Sequence, residues 1–198
     1  RLTAETIVAR LVPASKLKTS EPSAPESLKV RSAKIRLGVS LPELPPLFDA
    51  PSARRIVTTG VGSSAAHARF LAHVLAEQLG LPARFVPTGA LALHPPVGAT
   101  RDALVVFSQG LSPNARFAFA HARSFGALVV VTAQPAGDAG GDRAAWRAAL
   151  ERFGASIVEV DAPDEFGTLA RVVGPMLGFA AALRIARSLA VACSPDAR

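Results

Sequence analysis

Two short stretches of small and hydroxyl-bearing residues each join an apolar run to a segment of helical pattern. The first, residues 58–64 (TTGVGSS), follows Ile56-Val57. Its glycines allow a ligand to approach the backbone closely, and Ser63 and Ser64 present hydroxyls beside the free amides of a helix N-terminus. These amides and the positive end of the helix dipole attract anions. The stretch therefore predicts an anion-binding loop that suits a phosphate group.

The second stretch, residues 108–114 (SQGLSPN), follows the apolar run 103–107. Its serine and glutamine offer side-chain donors, its glycine permits a tight turn, and Ser112-Pro113 is typical of an N-cap and the first residue of a helix. A single serine before a helix is more often a cap than a ligand group. Two such loops at corresponding strand ends favour ligand binding instead. The predicted phosphate-binding residues are Gly62, Ser63, Ser64, Ser108, Gln109, Gly110 and Ser112.

The elements that position these loops are short apolar runs separated by segments of helical periodicity. The runs are 56–59, 84–86, 103–107, 127–132 and 156–160, and the helix candidates are 64–80, 112–125, 142–153 and 165–190. Strands that are apolar throughout are typical of a parallel sheet covered on both faces. The pattern predicts a three-layer α/β/α sandwich with a five-stranded parallel sheet. Gly80, Gly126 and Gly154 are predicted to end helices before the next strand.

The first loop also matches the G-x-G-x-x-A pattern of dinucleotide-binding loops. That alternative requires an acidic residue after the second strand to hold the ribose, and residues 85–88 (FVPT) supply none. We therefore predict no nicotinamide, flavin or other cofactor. His67 and His73 lie six positions apart, which is not the i, i+4 geometry of a helical metal pair, so no metal is predicted.

The length of the chain and the distribution of its charges limit the classes of protein to which it can belong. The chain has 198 residues, 49% of them hydrophobic, which suits one domain with a substantial core. Its net charge of +7 is uneven, because all four lysines lie between residues 16 and 34, with no aromatic residues interleaved for base stacking. We predict a basic, partly disordered leader over 1–40 rather than a nucleic-acid site, a domain over 41–192, and the start of a linker over 193–198.

The cellular compartment is predicted from the single cysteine and the apolar C-terminal segment. Cys193 excludes an intramolecular disulfide, which fits a cytoplasmic protein. The apolar stretch 172–192 is interrupted by Pro175, Arg184 and Arg187. We therefore predict a buried amphipathic helix there and no membrane span.

The order of these motifs resembles the sugar isomerase (SIS) domain family. The resemblance covers about residues 40–190 and rests on G-x-G-S-S-x-x-x-A at 60–68, S-Q-G-x-S-P at 108–113 and V-V-V-T at 129–132. It is greatest to the first SIS domain in the isomerase half of glutamine–fructose-6-phosphate aminotransferase and to related sugar-phosphate isomerases and deaminases. The resemblance implies a flavodoxin-like strand order 2-1-3-4-5, a phosphorylated sugar as ligand, and a homodimer or a second SIS domain as partner. One serine of the family's usual Ser-Gln-Ser-Gly loop is absent here, since Gln109 directly precedes Gly110.

Few residues of the sequence are candidates for a catalytic role. Aldose–ketose isomerisation needs a base, commonly a carboxylate, and often a histidine for ring opening. His94 is the candidate catalytic residue, against the alternative of a loop histidine fixed by Pro95 and Pro96. In the two-domain enzymes that the chain resembles, the carboxylate base lies near the end of the second domain. Two functions thus remain open: a sugar-phosphate isomerase or aminosugar-phosphate deaminase/synthase module, and a non-catalytic phosphosugar sensor.

Overall fold

The computed structural model describes residues 47, 53, 55–94, 99–133, 141–160 and 173–193. All of them belong to one compact unit, Leu44–Arg198. The leader predicted over 1–40 and residues 194–198 of the linker predicted over 193–198 lie outside the described residues.

Five parallel strands form a single sheet in the order β2-β1-β3-β4-β5. The strands are β1 (Ile56–Gly60), β2 (Ala83–Phe85), β3 (Ala103–Phe107), β4 (Ala127–Thr132) and β5 (Ser156–Glu159). This confirms the predicted sheet and its flavodoxin-like order. The strand order reverses at β1, which pairs with β2 on one side and β3 on the other, so a crevice opens at the carboxyl ends of β1 and β3.

In the part of the chain that the structure describes, five α-helices cover the sheet. They are α1 (Ser63–His73), α2 (Thr88–Leu93), α3 (Pro113–Ala120), α4 (Gly141–Arg152) and α5 (Val173–Ala192). The predicted helix 64–80 is regular only to His73 and continues as a π-helical segment, Val74–Gln78. The six-residue α2 was not predicted, and the predicted helix 112–125 ends at Ala120 with a 3-10 turn, Ala122–Ser124, beyond it.

Successive residues of each strand point to opposite faces of the sheet. An apolar core therefore forms on each face, between the sheet and the helices that cover it. One core joins α1 and α5 to the face that carries Ile56 and Val105. The other joins α2, α3 and α4 to the face that carries Val57 and Leu104. All five residues of β1 and of β3 are buried, which is why neither strand shows polar alternation in the sequence.

The glycines before the strands act in two ways. Gly80 and Gly154 adopt positive φ angles of 64° and 83°, as expected of residues that end helices. Gly126 was also predicted to end a helix, but it is not among the positive-φ glycines. A Cβ atom there would collide with the backbone carbonyl of Thr100, so close packing of two backbone segments is the reason for this glycine.

Ion pairs stabilise both the sheet and one of the helical layers. Asp102, just before β3, accepts bonds from both Nε (2.9 Å) and an Nη (2.7 Å) of Arg55, just before β1. Arg116 of α3 pairs with Asp142 of α4 and lies over the ring of Trp146. These contacts fix the amino edge of the sheet and the α3–α4 layer.

The helix α5 is the longest of the described helices and is rich in apolar residues. It is the one described helix long and apolar enough by composition to span a membrane. One side of it packs on α1 and the sheet through Ala181, Ala182, Ile185, Ala186 and Leu189. Met176, Leu183 and Val191 are exposed on another side. The predicted amphipathic helix is therefore present, although residues 165–172 of the predicted range lie outside the described part of the chain.

Candidate functional site

The first loop turns directly from β1 into α1. A Cβ atom at Gly60 would lie 2.6 Å from the carbonyl oxygen of Ser64, so only glycine lets the helix begin this close to the strand end. Gly62 is the N-cap of α1, with a φ of 63° that L side chains rarely adopt. The sequence therefore needs both glycines to place the start of α1 at the sheet edge.

The serine hydroxyls of the first loop make no hydrogen bond in the described structure. Ser63 is the exposed first residue of α1, and Ser64 is buried beside it. No side chain caps this helix. Among the described contacts neither hydroxyl has a hydrogen-bond partner, so the capping alternative does not account for Ser63 or Ser64. Both hydroxyls stand next to the first amides of α1, which have no acceptor within a helix.

The second loop begins with a buried serine. Ser108 follows β3, is 5% exposed, and donates its amide to the carbonyl of Val131 over 2.9 Å. The tight turn was expected at Gly110, but the positive φ, 47°, falls on Leu111. Leu111 is buried in the core beneath α3. Burial of this side chain holds a backbone conformation that is costly for a non-glycine residue.

Gln109, in the second loop, contacts both α5 and the end of β4. Its side-chain amide donates to the carbonyl of Gly174, in the first turn of α5, over 2.5 Å. Its own carbonyl accepts the hydroxyl of Thr132 at 3.0 Å and the amide of Ala133 at 2.8 Å. The side chain thus positions α5 against the loop, and its predicted contact with phosphate stays a prediction.

Ser112 is the N-cap of α3 and Pro113 is the first residue of that helix, as predicted. Ser112 is exposed, and its side chain makes no capping hydrogen bond. A second helix N-terminus therefore opens beside a hydroxyl. β1 and β3 are adjacent and in register from Ile56↔Ala103 to Gly60↔Phe107, so the two loops leave the sheet side by side.

A pair of threonines, which the sequence analysis missed, fixes the third connection at this edge. Thr88, the first residue of α2, donates its hydroxyl to the carbonyl of Gly60 at 3.3 Å. The hydroxyl oxygens of Thr59 and Thr88 are 3.0 Å apart. Because Thr88 donates its one hydroxyl proton to Gly60, Thr59 is the donor in this second bond. These bonds hold the start of α2 to the end of β1. The available signal was Pro87, because proline ends a strand and is tolerated where a helix begins.

His67 lies on α1 one turn after the two serines and is only 1% exposed. Its ring makes an edge contact with Phe179 of α5, with centroids 4.7 Å apart, and lies 6.0 Å from the ring of Phe107. Burial lowers the pKa of His67 below its usual value, and the nearby Pro175 carbonyl opposes this only in part. That carbonyl lies outside hydrogen-bond geometry, so both ring nitrogens are without a partner in the described structure. An unpaired buried polar group costs about 1–3 kcal/mol.

His94, the candidate catalytic residue, follows the last turn of α2. It is exposed, and its amide donates to the carbonyl of Ala90 at 2.9 Å. The neighbouring Pro95 and Pro96 lie outside the described residues. Nothing in the described structure brings another titratable side chain into hydrogen-bond contact with His94, so its catalytic role stays a prediction.

The cradle, defined here as residues 60–64 and 108–112, contains no charged side chain. Arg116, one turn into α3, is already held by Asp142 and Trp146. Within the described ranges no group of three or more His, Cys, Asp or Glu residues has the arrangement of a metal site. The cradle therefore offers amides, hydroxyls and helix dipoles, which suit an anion rather than a cation.

The fold is shared with solved structures of sugar-phosphate proteins. The C-terminal domain of glucosamine-fructose-6-phosphate aminotransferase from Francisella tularensis matches with a TM-score of 0.54 and 10% identity, over 73% of this chain and 38% of that one. Tagatose-6-phosphate ketose/aldose isomerase from Escherichia coli matches with a TM-score of 0.52 and 22% identity, over 76% and 39%. A protein of Methanococcus jannaschii, with an inferred function of 3-hexulose-6-phosphate isomerase, matches with a TM-score of 0.52 and 17% identity, over 71% and 71%.

These likenesses confirm the predicted fold, an α/β/α sandwich of the SIS type. No protein-family model matches the sequence, and no curated protein matches it significantly. The chain spans less than half the length of the aminotransferase domain and of the tagatose-6-phosphate isomerase.

Proposed function

We propose that the chain binds a phosphorylated sugar, with the phosphate group held in the cradle. The observation that carries this proposal is that β1 and β3, adjacent strands at the point where the sheet order reverses, each lead into a helix N-terminus, at Gly62 and Ser112. Helix amides and hydroxyls together bind phosphate oxygens without any cationic side chain. The fold relatives support the same ligand class, since two of them are described as isomerases of tagatose 6-phosphate and 3-hexulose 6-phosphate.

A bound phosphate dianion accepts hydrogen bonds and donates none. Each serine hydroxyl without a partner in the described structure can therefore donate to one of its oxygens. Ser64 and Ser108 are the central pair, because both are largely buried and follow adjacent strands. Ser63 and Ser112 are the exposed pair. We assign the phosphate to the space between these two pairs.

We further propose that the chain is part of a sugar-phosphate isomerase or aminosugar-phosphate deaminase/synthase of the cytoplasm. A second copy of the chain or a second SIS domain would complete it. The support is that two fold relatives with such activities are more than twice as long as the matched region. His94 would assist ring opening from the rim of the cradle.

The second candidate function is a phosphosugar sensor without chemistry. It is favoured by the placement of the carboxylates that the structure describes, Glu77, Asp102, Asp142, Glu151 and Glu159. Four of them pair with arginines, and Glu77 lies in the π-helical segment at the far end of α1 from the cradle. None is placed as a base beside the two loops.

Thermal unfolding in the presence of sugar phosphates tests the central proposal. A ligand that binds only the native state raises its stability by RT ln(1 + [L]/Kd), about 2.7 kcal/mol at one hundred times Kd. We expect fructose 6-phosphate or glucosamine 6-phosphate to raise the midpoint, and the double variant Ser64→Ala, Ser108→Ala to abolish the shift. Ser124→Ala is the control, because that serine precedes β4 at the opposite edge of the sheet. Equal shifts in all three proteins would overturn the proposal.

Solvent deuterium incorporation into the bound sugar separates the two candidate functions. An isomerase exchanges the proton that moves between adjacent carbons, whereas a sensor leaves it in place. His94→Gln is expected to slow the exchange while leaving phosphate affinity unchanged. Binding without exchange supports the sensor.

A further inference from the structure

The imidazole of His67 is the one buried polar group near the cradle that the described part of the fold leaves unexplained. Its ring is enclosed by Phe107, Phe179 and the backbone of Gly178, and a Cβ atom at Gly178 would collide with the ring. Neither ring nitrogen has a hydrogen-bond partner in the described structure. Buried polar groups are nearly always paired, so an unpaired imidazole in an apolar setting calls for a physical reason.

The place of the ring on α1 connects it to the first loop. His67 follows Ser64 by three positions and Ser63 by four, so the three side chains share one face of the helix. Helical side chains lean toward the N-terminus of their helix, which sets the ring over the turn that carries the two serines.

The contacts of the ring connect it to the second loop and to α5. Phe107 is the last residue of β3 and precedes Ser108 directly. Phe179 and Gly178 lie one turn into α5, after Gly174, whose carbonyl receives the Gln109 amide. The ring therefore lies between the end of β3 and the first turns of α5.

We propose that His67 is a specificity-determining residue of the phosphosugar site and exchanges a hydrogen bond with a hydroxyl on the carbon chain of the ligand. This inference rests on the proposed function. A neutral imidazole carries one donor and one acceptor, and a hydroxyl group offers both in return. A phosphate dianion offers acceptors only and can pair with the donor nitrogen alone, whereas a sugar hydroxyl can pair with either ring nitrogen.

Access to the ring requires the first turns of α5 to move aside. A side-chain hydrogen bond, from Gln109 to Gly174, attaches this part of α5 to the second loop. The bound hydroxyl then supplies the partner that His67 lacks in the free protein.

Nuclear magnetic resonance of the histidine rings in the full chain tests this directly, because the sequence has four histidines. On saturation with fructose 6-phosphate, or with whichever sugar phosphate raises the unfolding midpoint most, the ring nitrogen and Cε1 signals of His67 are expected to shift. Inorganic phosphate at saturation is expected to leave them in place. Unchanged His67 signals in the sugar-phosphate complex would overturn the inference while leaving the proposed function intact.

Affinities of substituted proteins give a second readout that a merely structural role would not produce. His67→Gln is expected to weaken sugar-phosphate binding about five- to tenfold, the loss of one hydrogen bond, with inorganic phosphate binding unchanged. His73→Gln on the exposed side of the same helix is the control. An equal loss for both ligands would show that His67 only supports α1.

If His67→Gln does not fold, the resonance experiment on the natural chain decides alone. Failure of every sugar phosphate to bind the natural chain would instead refute the proposed function.

Discussion

The side-chain amide of Gln109 donates a hydrogen bond to the backbone carbonyl of Gly174, with 2.5 Å between nitrogen and oxygen. The two residues are 65 positions apart in the chain. This bond joins the loop after β3 to the first turn of α5. The same loop is held on its other side by Thr132, at the end of β4.

Replacement of Gln109 by alanine is expected to lower the free energy of unfolding by about 1–2 kcal/mol. The side-chain hydrogen bond is lost and the Gly174 carbonyl loses a partner. Urea unfolding followed by circular dichroism measures the change. Gln78→Ala is the matched control, because Gln78 is exposed at the end of the π-helical segment. A similar loss in both variants would contradict the positioning role of Gln109.

Substitution of Gly60 by alanine is expected to displace the start of α1. The added methyl group would meet the Ser64 backbone at 2.6–2.7 Å, and backbone atoms yield less readily than a flexible side chain. We expect a loss of about 1–3 kcal/mol in stability, together with loss of phosphate binding. Unfolding curves and isothermal calorimetry measure the two effects.

Gly89→Ala is the control for Gly60→Ala, because a Cβ atom on Gly89 in α2 meets nothing within 4 Å. Its stability is expected to be unchanged or raised by up to about 1 kcal/mol, since alanine favours helix more than glycine does. A stable Gly60→Ala variant with full ligand affinity would show that α1 does not need its close start.

Asp102→Asn is expected to lower stability without altering ligand affinity. Asp102 is 1% exposed and bonds twice to Arg55, which is partly exposed, so loss of the charge removes a charge-assisted contact worth about 1–2 kcal/mol. The pair precedes β1 and β3, at the sheet edge opposite the cradle. Calorimetric titration with a sugar phosphate, well below the unfolding midpoint, checks that binding is retained; a large drop in affinity would contradict this separation.

His67 is expected to make the protein less stable as the pH falls below about 6.5. Burial lowers its pKa in the folded chain, so the unfolded chain takes up a proton at a higher pH than the folded chain does. Stability rises with pH wherever the unfolded state binds more protons. The free energy of unfolding is therefore expected to decline from pH 6.5 downward, until the pH reaches the lowered pKa.

Urea unfolding at several pH values, compared between the natural chain and His67→Gln, measures this contribution. The difference between the two proteins is expected to shift in favour of the variant as the pH falls. His73→Gln, at an exposed position on the same helix, is the control. A pH dependence that is the same in all three proteins would exclude a titrating role for His67.

The sheet and the two loops were predictable because they depend on local pattern. Strands buried on both faces leave continuous apolar runs such as 103–107, and glycine followed by serines marks a tight entry into a helix. Gly126 shows the limit of this reasoning. The sequence signals a break there, but the cause is a contact with Thr100, which only the folded chain brings near.

Long-range side-chain contacts were not predictable for the same reason. The Thr59–Thr88 pair depends on β1 and β2 lying side by side, and the Gln109 bond depends on where α5 begins. The setting of His67 is similar, because its neighbours Phe107 and Phe179 come from distant parts of the chain. Helical periodicity placed His67 on α1 but did not show that its ring is enclosed.

The edge strand β2 has only three residues, and prolines stand on either side of it at positions 82 and 87. Exposed sheet edges invite pairing with other chains, and proline removes the amide that such pairing needs. The exposed Arg84 at the centre of β2 adds a charge that opposes stacking. This side of the molecule is therefore protected against β-type aggregation at high concentration.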